Sequence, residues 1–398
     1  MTTSKLKQIF AITICNFIFS VNSFSQISKI QEALNLFNSD SLVNYTKVLT
    51  GMKGINEKDT IKSRLSGTSG NELAFQYAKQ LFKSWNLNID SQQFSITGKN
   101  LLAAKKGYKS NKYILLGGHY DAVGSGNPAF HYPGADDNAS GTSGVLEAAR
   151  VISQFEFPYT IKFALWDEEE QGLLGSRAFG PPDDVRDFVG YINLDMIAWD
   201  GNNDSLIEIH TRNISNSNLL SERVMNVLKL YNIGLQYKIV NPGDPATDHK
   251  SFWDLNLTAI GINEEYNDDF NPNWHKINDS LSKFNIPYYS KMVQLSIATL
   301  MDIALDSNGI LSAKEIEYED PLFIYPNPVE DILFFNLSTS KIKYNSAIIT
   351  DVTGKKVLNF TDISNLSFLN LSGLNQGTYF LTLISGTQSK KPLKIIKI

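Results

Sequence analysis

The sequence predicts an α/β domain, built on a mostly parallel mixed sheet with helices on both faces, followed by a small all-β sandwich. Three observations predict it. Between Lys112 and Leu305, short apolar runs interleave with stretches that carry apolar residues at spacings of three and four. From Asp306 to Asp320 the chain turns polar and loses any clear apolar period. Beyond that, short strand-like runs are separated by Pro, Gly, Asn and Asp. Apolar strands alternating with helices describe a sheet covered on both sides, whereas closely spaced short strands describe a sandwich that cannot share its core.

Taken in order, residues 1–25 carry Lys5 and Lys7, an apolar run from Ile9 to Phe19, and Ser23-Phe24-Ser25 before Gln26. This is the plan of a cleavable secretion signal, too short and too interrupted by Thr13, Cys15 and Asn16 to anchor the mature chain in a membrane. The stretch from Ile27 to about Tyr108 reads as helical and then irregular. Its clearest element is a helix over Asn71–Asn86, with Leu73, Phe75, Ala78, Leu81, Phe82 and Trp85 on one face. Residues 27–59 are open between a permanent part of the domain and a removable pro-segment. The α/β region then runs through strands at Tyr113–Gly118, Thr160–Trp166, Gly190–Trp199, Leu206–His210 and Thr258–Ile262. Helices are expected over Ser143–Gln154, near Leu219–Tyr231, and over Tyr288–Leu305. The domain is assigned to 27–305, a linker to 306–320 and the sandwich to 321–398.

Composition narrows the chemistry. Cys15 is the only cysteine and lies in the signal, so disulfides and thiolate-held zinc are excluded from the mature chain. Loss of Lys5 and Lys7 leaves 34 basic residues (36 − 2) against 41 acidic ones, moving the formal charge from −5 to −7. A nucleic-acid partner would want a basic face, so none is expected. Any metal must be held by His, Asp or Glu.

Five segments gather those residue types where strands meet loops. GGHYDAV brings His119 and Asp121, PGADDNASG brings Asp136 and Asp137, DEEEQG sets four acids after a strand, NLDM puts Asp195 on a strand, and NPNWH offers His275. Taken singly, each has a plain structural reading: turn chemistry, a core histidine, a strand-end cap or a solvated charge run. In an open parallel sheet, however, ligands collect outside the carboxyl ends of the strands. Carboxylates crowded there repel one another unless positive charge sits among them, and a divalent metal pair supplies it. Two His and three carboxylates suffice if one carboxylate bridges.

These five segments, in this order and spacing over about Leu42–Leu305, resemble the co-catalytic dizinc aminopeptidase family, whose relatives include glutamate carboxypeptidases and glutaminyl cyclases. The resemblance implies two zinc ions, one held by His119, Asp137 and Asp195 and the other by Asp137, Glu170 and His275. It implies that Asp137 rather than Asp136 is the bridge and is followed by a cis peptide. It makes Glu169 the general base, and Asp121 the carboxylate that fixes the His119 tautomer. TDHKSFW resembles the family's short helix beside the active site, where Asp248 and His249 would help position the wall. Asp279 is open between a support for His275 and a turn residue. His131 is expected near the mouth of the site, and His210 has no assigned role. Some members carry a Tyr before the TDH-like segment or before the last histidine; here Trp274 stands in the second place and Asp244–Ala246 in the first, so the oxyanion helper is unassigned.

Residues 325–398 resemble the C-terminal sorting domain of type IX secretion cargo, through YPNP, DVTGKKV, LNLSGLNQGTYFL and a final KIIKI. The two resemblances imply a secreted or cell-surface zinc exopeptidase of a Gram-negative bacterium. Its partners would be peptide substrates and the export machinery, and its action the removal of N-terminal residues. Glutaminyl-peptide cyclisation is the alternative on this scaffold, with carboxypeptidase or dipeptidase action also open.

Overall fold

A computed structural model describes residues 26–124, 132–182 and 185–306, and much of the tail between 324 and 398. The expected signal, the linker from 307 onward and His131 lie outside the described residues. The chain divides into two compact units, Met1–Ser312 and Ala313–Ile398.

The larger unit is organised by one eight-stranded sheet: β1 (Asn88–Gln93), β2 (Lys99–Lys105), β3 (Tyr113–His119), β4 (Thr160–Trp166), β5 (Phe188–Leu194), β6 (Leu206–His210), β7 (Gln236–Val240) and β8 (Ala259–Glu264). Their spatial order is β1-β2-β4-β3-β5-β8-β6-β7. β4, β3, β5 and β8 run parallel to one another, β6 lies antiparallel to β8, and β2 and β1 add an antiparallel edge. The four central strands therefore end on the same side of the sheet.

Strand alternation builds a core on each face. Ile114 and Leu116 of β3, with Ile161, Phe163 and Leu165 of β4, point into the larger core. Tyr113, Leu115, Ala164 and Trp166 point into the other. The larger core is closed by α1 (Ser39–Leu49), α2 (Ser69–Ser84), α3 (Gly141–Ile152), α5 (Ser217–Leu230) and α7 (Ile286–Leu305). The second takes Phe179 from α4 (Leu174–Phe179) and Phe252 and Trp253 from α6 (His249–Asp254). Among the described residues no helix is long and apolar enough to cross a membrane.

The sequence expectations need two corrections here, and one open point gains an observation. The region before Tyr108 is not irregular after its helix: NIDSQQ and KNLLAAK form β1 and β2. The third site strand ends at Leu194, so Asp195 is the first residue beyond it rather than a strand residue. The segment around 39–49 is built into the core, since Leu42, Tyr45, Val48 and Leu49 are buried and the Thr46 hydroxyl bonds Ser143 and Tyr289.

In the smaller unit, β9 (Ile324–Tyr325), β10 (Ile332–Phe335) and β13 (Phe368–Asn370) form one antiparallel sheet. β11 (Ser346–Asp351), β12 (Lys356–Thr361), β14 (Gly377–Ser385), β15 (Gln388–Ser389) and β16 (Leu393–Lys397) form a second. Leu333 and Leu369 from the first meet Ala347, Ile349, Leu381, Leu383 and Ile395 from the second in a core of their own.

Candidate metal centre

The parallel strand ends set the site. His119 is the last residue of β3, the acidic run begins one residue after β4, Asp195 follows β5 directly, and His275 lies in the loop that leaves β8. Asp137 sits between β3 and α3, on a kinked helical turn, Ala135–Ser140, with a cis peptide between Asp137 and Asn138. Two glycines let this turn approach the sheet. A Cβ on Gly141 would stand 2.3 Å from the Leu194 carbonyl, and one on Gly118 would stand 2.6 Å from that same oxygen.

The carboxylate of Asp137 faces two ways. Its Oδ1 lies 3.3 Å from His119 Nε2, which is also 3.3 Å from Asp195 Oδ1. Its Oδ2 lies 3.1 Å from His275 Nε2, which is 3.0 Å from Glu170 Oε2. Two groups of potential ligand atoms result, His119–Asp137–Asp195 and Asp137–Glu170–His275, each with its atoms within 4.8 Å of one another. Glu169 Oε2 stands 3.9 Å from His119 Nε2, beside the first group.

Backbone amides hold the acids in place. The Asp121 carboxylate accepts the N–H of Glu169 and of Glu170, both at 3.2 Å, and its Oδ1 is 3.4 Å from His119 Nδ1. Asp136 turns away from the cluster, accepting the Ala198 N–H and the Asn271 amide. Asp279 supports the turn rather than His275: it accepts the N–H of Asp136 at 2.9 Å and of Asp137 at 3.2 Å. Asp248 is buried and neither of its carboxylate oxygens has a hydrogen-bond partner. Trp274 lies flat on His275, ring centroids 3.8 Å apart and planes 18° from parallel.

The DEEE run is not solvated. Asp167 accepts from Asn71, Lys99 N–H and Tyr120, Glu168 accepts from the hydroxyls of Ser66, Ser95 and Thr97, and only the next two acids reach the cluster. Arg64 is the residue that sequence reasoning missed. It is buried, and its guanidinium donates to the carbonyls of Leu49, Tyr120, Pro133 and Gly134, tying the entry of the Asp137 turn to the end of β3. A lone arginine in a polar loop carries no signal of such a role.

Electrostatics test whether metal fits. Burial pushes Glu169 well above the ordinary glutamate value, Glu170 up to about 7, and Asp195 upward. The imidazoles answer as cations. Against the lowering effect of burial, bonds to Asp137 and Glu170 lift His275 to about 10, and Glu169 and Asp195 lift His119 well above 6.5. Asp137 is lowered, because His119 and His275 outweigh its burial. Protons thus supply positive charge that this donor set, imidazole nitrogen and carboxylate oxygen with one shared acid, is suited to take from zinc ions.

The groups line a cavity of about 590 Å³, in the range of small-ligand sites. Leu173, Met196, Tyr266, Phe270 and Trp274 give it apolar walls, and Asp244–Thr247 and Lys250 form another side.

Residues 100–300, half of the chain, match the model of Peptidase family M28, and residues 323–397 match the Secretion system C-terminal sorting domain. Leucine aminopeptidase 2 of Arthroderma otae is 32% identical over 148 residues, which are 36% of this chain and 28% of that protein. The chain therefore spans less than a third of the length of that curated relative. Among solved structures, BSAP, a zinc aminopeptidase from Bacillus subtilis, superposes with a TM-score of 0.59 at 14% identity, covering 69% of this chain and 97% of that one. Porphyromonas gingivalis glutaminyl cyclase superposes with a TM-score of 0.55 at 20% identity, covering 67% and 99%. At these identities the likeness is one of fold.

Proposed function

The chain belongs to peptidase family M28, and from that premise we propose that it is a secreted zinc-dependent aminopeptidase with Glu169 as its general base. The observation that carries the reading is the divided Asp137 carboxylate, with an imidazole and a second acid at each oxygen. His119, Asp137 and Asp195 would hold one zinc ion, and Asp137, Glu170 and His275 the other. Such a pair, when bound, supplies Lewis-acid polarisation of a peptide carbonyl and lowers the pKa of water.

The chain's own residues do the rest. Glu169 is buried with its carboxylate next to the ligand set and its backbone N–H fixed by Asp121, so it can accept a proton from the attacking water and return it to the leaving amine. Asp121 supports it through that bond, and the negative charge of buried Asp248 raises its proton affinity. The aromatic and aliphatic walls exclude bulk water and receive the first side chain of the peptide. The sorting domain directs the enzyme through a type IX pathway to the outside or surface of a Gram-negative cell.

The test uses zinc-loaded protein and aminoacyl amides. Glu169→Gln should lower kcat by about 10²- to 10⁴-fold with metal content unchanged, and a chelator should abolish turnover. Chelator-resistant turnover, or an active Gln variant, would overturn the reading. The fold likeness to a glutaminyl cyclase supports a second reading. A peptide beginning with Gln separates them: release of the first residue is the peptidase outcome, loss of ammonia with the chain intact the cyclase outcome.

A further inference from the structure

We infer that the mature chain begins at Gln26, and that the α-ammonium group freed there is held by Asp302 at the carboxyl end of α7. Nothing in this depends on the aminopeptidase reading.

Ser23-Phe24-Ser25 precede Gln26, the small-x-small plan at which a secretion signal is cut. Hydrolysis of the Ser25–Gln26 amide adds one water, leaving a carboxylate on Ser25 and an ammonium on Gln26. The described chain is helical from 26 to 36. Ile30 and Ala33, one and two turns on, are fully buried, and Leu34, Leu36 and Phe37 pack against the larger core. A segment docked from its first turns delivers Gln26 to a fixed place. There its side-chain amide donates to the Asp302 carbonyl at 3.1 Å and to Asp302 Oδ1 at 3.0 Å.

That place calls for positive charge. α7 ends at Leu305, and the last carbonyls of a 20-residue helix carry the negative end of its dipole. Asp302 stands in that last turn and Asp306 just beyond it, both buried. Arg223, from α5, meets both: its Nε bonds Asp302 Oδ2, and Nη2 bonds Asp306 Oδ2 at 3.1 Å. Burial raises Asp302 above its ordinary value, and Arg223 does not bring it back. Burial, and then the Asp302 charge, push the Tyr231 hydroxyl upward too; that hydroxyl is buried at the end of α5 with no hydrogen-bond partner among the described residues.

Asp302 Oδ2 is committed to the guanidinium, while Oδ1 accepts only the Gln26 amide among the described residues. A carboxylate oxygen can take two donors, and the nearest new one belongs to the residue already bonded to it. Before the cut that nitrogen is a neutral amide. After it, the nitrogen is a cation, and a charge-assisted bond is the stronger kind. An ammonium at the amino end of its own helix is unfavourable, and an acid beside it offsets that cost. The same contact keeps Gln26 from cyclising: attack of its α-nitrogen on the side-chain carbonyl would expel the amide nitrogen as ammonia, losing both Asp302 bonds and the charge.

Intact mass and N-terminal sequencing of the exported chain should give Gln26 with a free amine. A chain that starts elsewhere, or one that starts at Gln26 and has lost ammonia, overturns the inference. Two purified mature chains then test the ion pair, one starting at Gln26 and one keeping Ser25, which carries the ammonium about 3.8 Å further along the backbone. The Gln26 chain should melt about 2–4 °C higher, and its terminal amine should react several-fold more slowly with an acylating reagent at neutral pH. In an Asp302→Asn background both differences should vanish; differences that persist there overturn Asp302 as the partner. Equal amine reactivity in the two parent chains overturns the inference outright, and that comparison needs no variant to fold.

Discussion

Glu208 shows how one buried carboxylate can report on the bonds that hold it. It is buried on β6, and burial alone would raise it. Bonds from His210 at 3.0 Å, Asn267 at 2.6 Å and Lys238 at 3.2 Å outweigh that and bring it down from 4.5 to about 2. A depressed carboxylate contributes stability above its unfolded pKa and loses it as pH falls through the folded one. Urea unfolding measured from pH 6 downward should therefore show stability falling between about 4.5 and 2. Glu208→Gln should flatten the slope in that window; an unchanged slope would count against this account. The site's acids and imidazoles were legible in the sequence because each stands in a short motif at a strand end. Arg64 was not, because what it does depends on backbone carbonyls brought from elsewhere in the chain.

At the scale of elements, the legible ones are those whose burial pattern repeats. β3, β5 and β8 are buried at every position, so their apolar runs stand out. β1 is not legible: NIDSQQ is a polar edge strand held by pairing with β2 rather than by a buried face. The turn at Ala135–Ser140 is read from its residues, but its fit depends on the Leu194 carbonyl, where β5 arrives, and on Asn138, which donates to that carbonyl and accepts the Gly141 N–H. Gly141→Ala forces a methyl to within 2.3 Å of the carbonyl. We expect a loss of about 1–3 kcal/mol, measured by urea unfolding, together with weaker zinc retention, because Asp195 is the next residue after the one displaced. A variant as stable as the parent would show that α3 can shift without cost.

For the whole molecule, two units with separate cores imply two separable tasks. Ending the chain after Asp306 should leave kcat/KM in vitro within about twofold of the full-length enzyme while abolishing export, as measured by activity in the culture medium or at the cell surface. Loss of catalysis on truncation would mean that the second unit completes the site. The tail was legible as a sorting domain from its turns and its final run, KIIKI, whose first four residues lie in β16. Less legible was the status of residues 27–59, since an amphipathic helix in sequence does not say what it covers.

The Thr46 hydroxyl shows what that helix packs against. It meets Ser143 on the helix that follows the Asp137 turn and Tyr289 on the last helix, whose own hydroxyl donates to the Ser140 carbonyl. A few residues earlier, the Asn38 N–H donates to buried Glu147. We therefore expect maturation to trim this protein only upstream of that fastening. A protease that nicks the chain between 50 and 60 should yield two fragments that migrate together on native gel filtration and part only in denaturant. On that expectation, discarding the first fragment would pull the keystone out of the larger unit rather than unmask it.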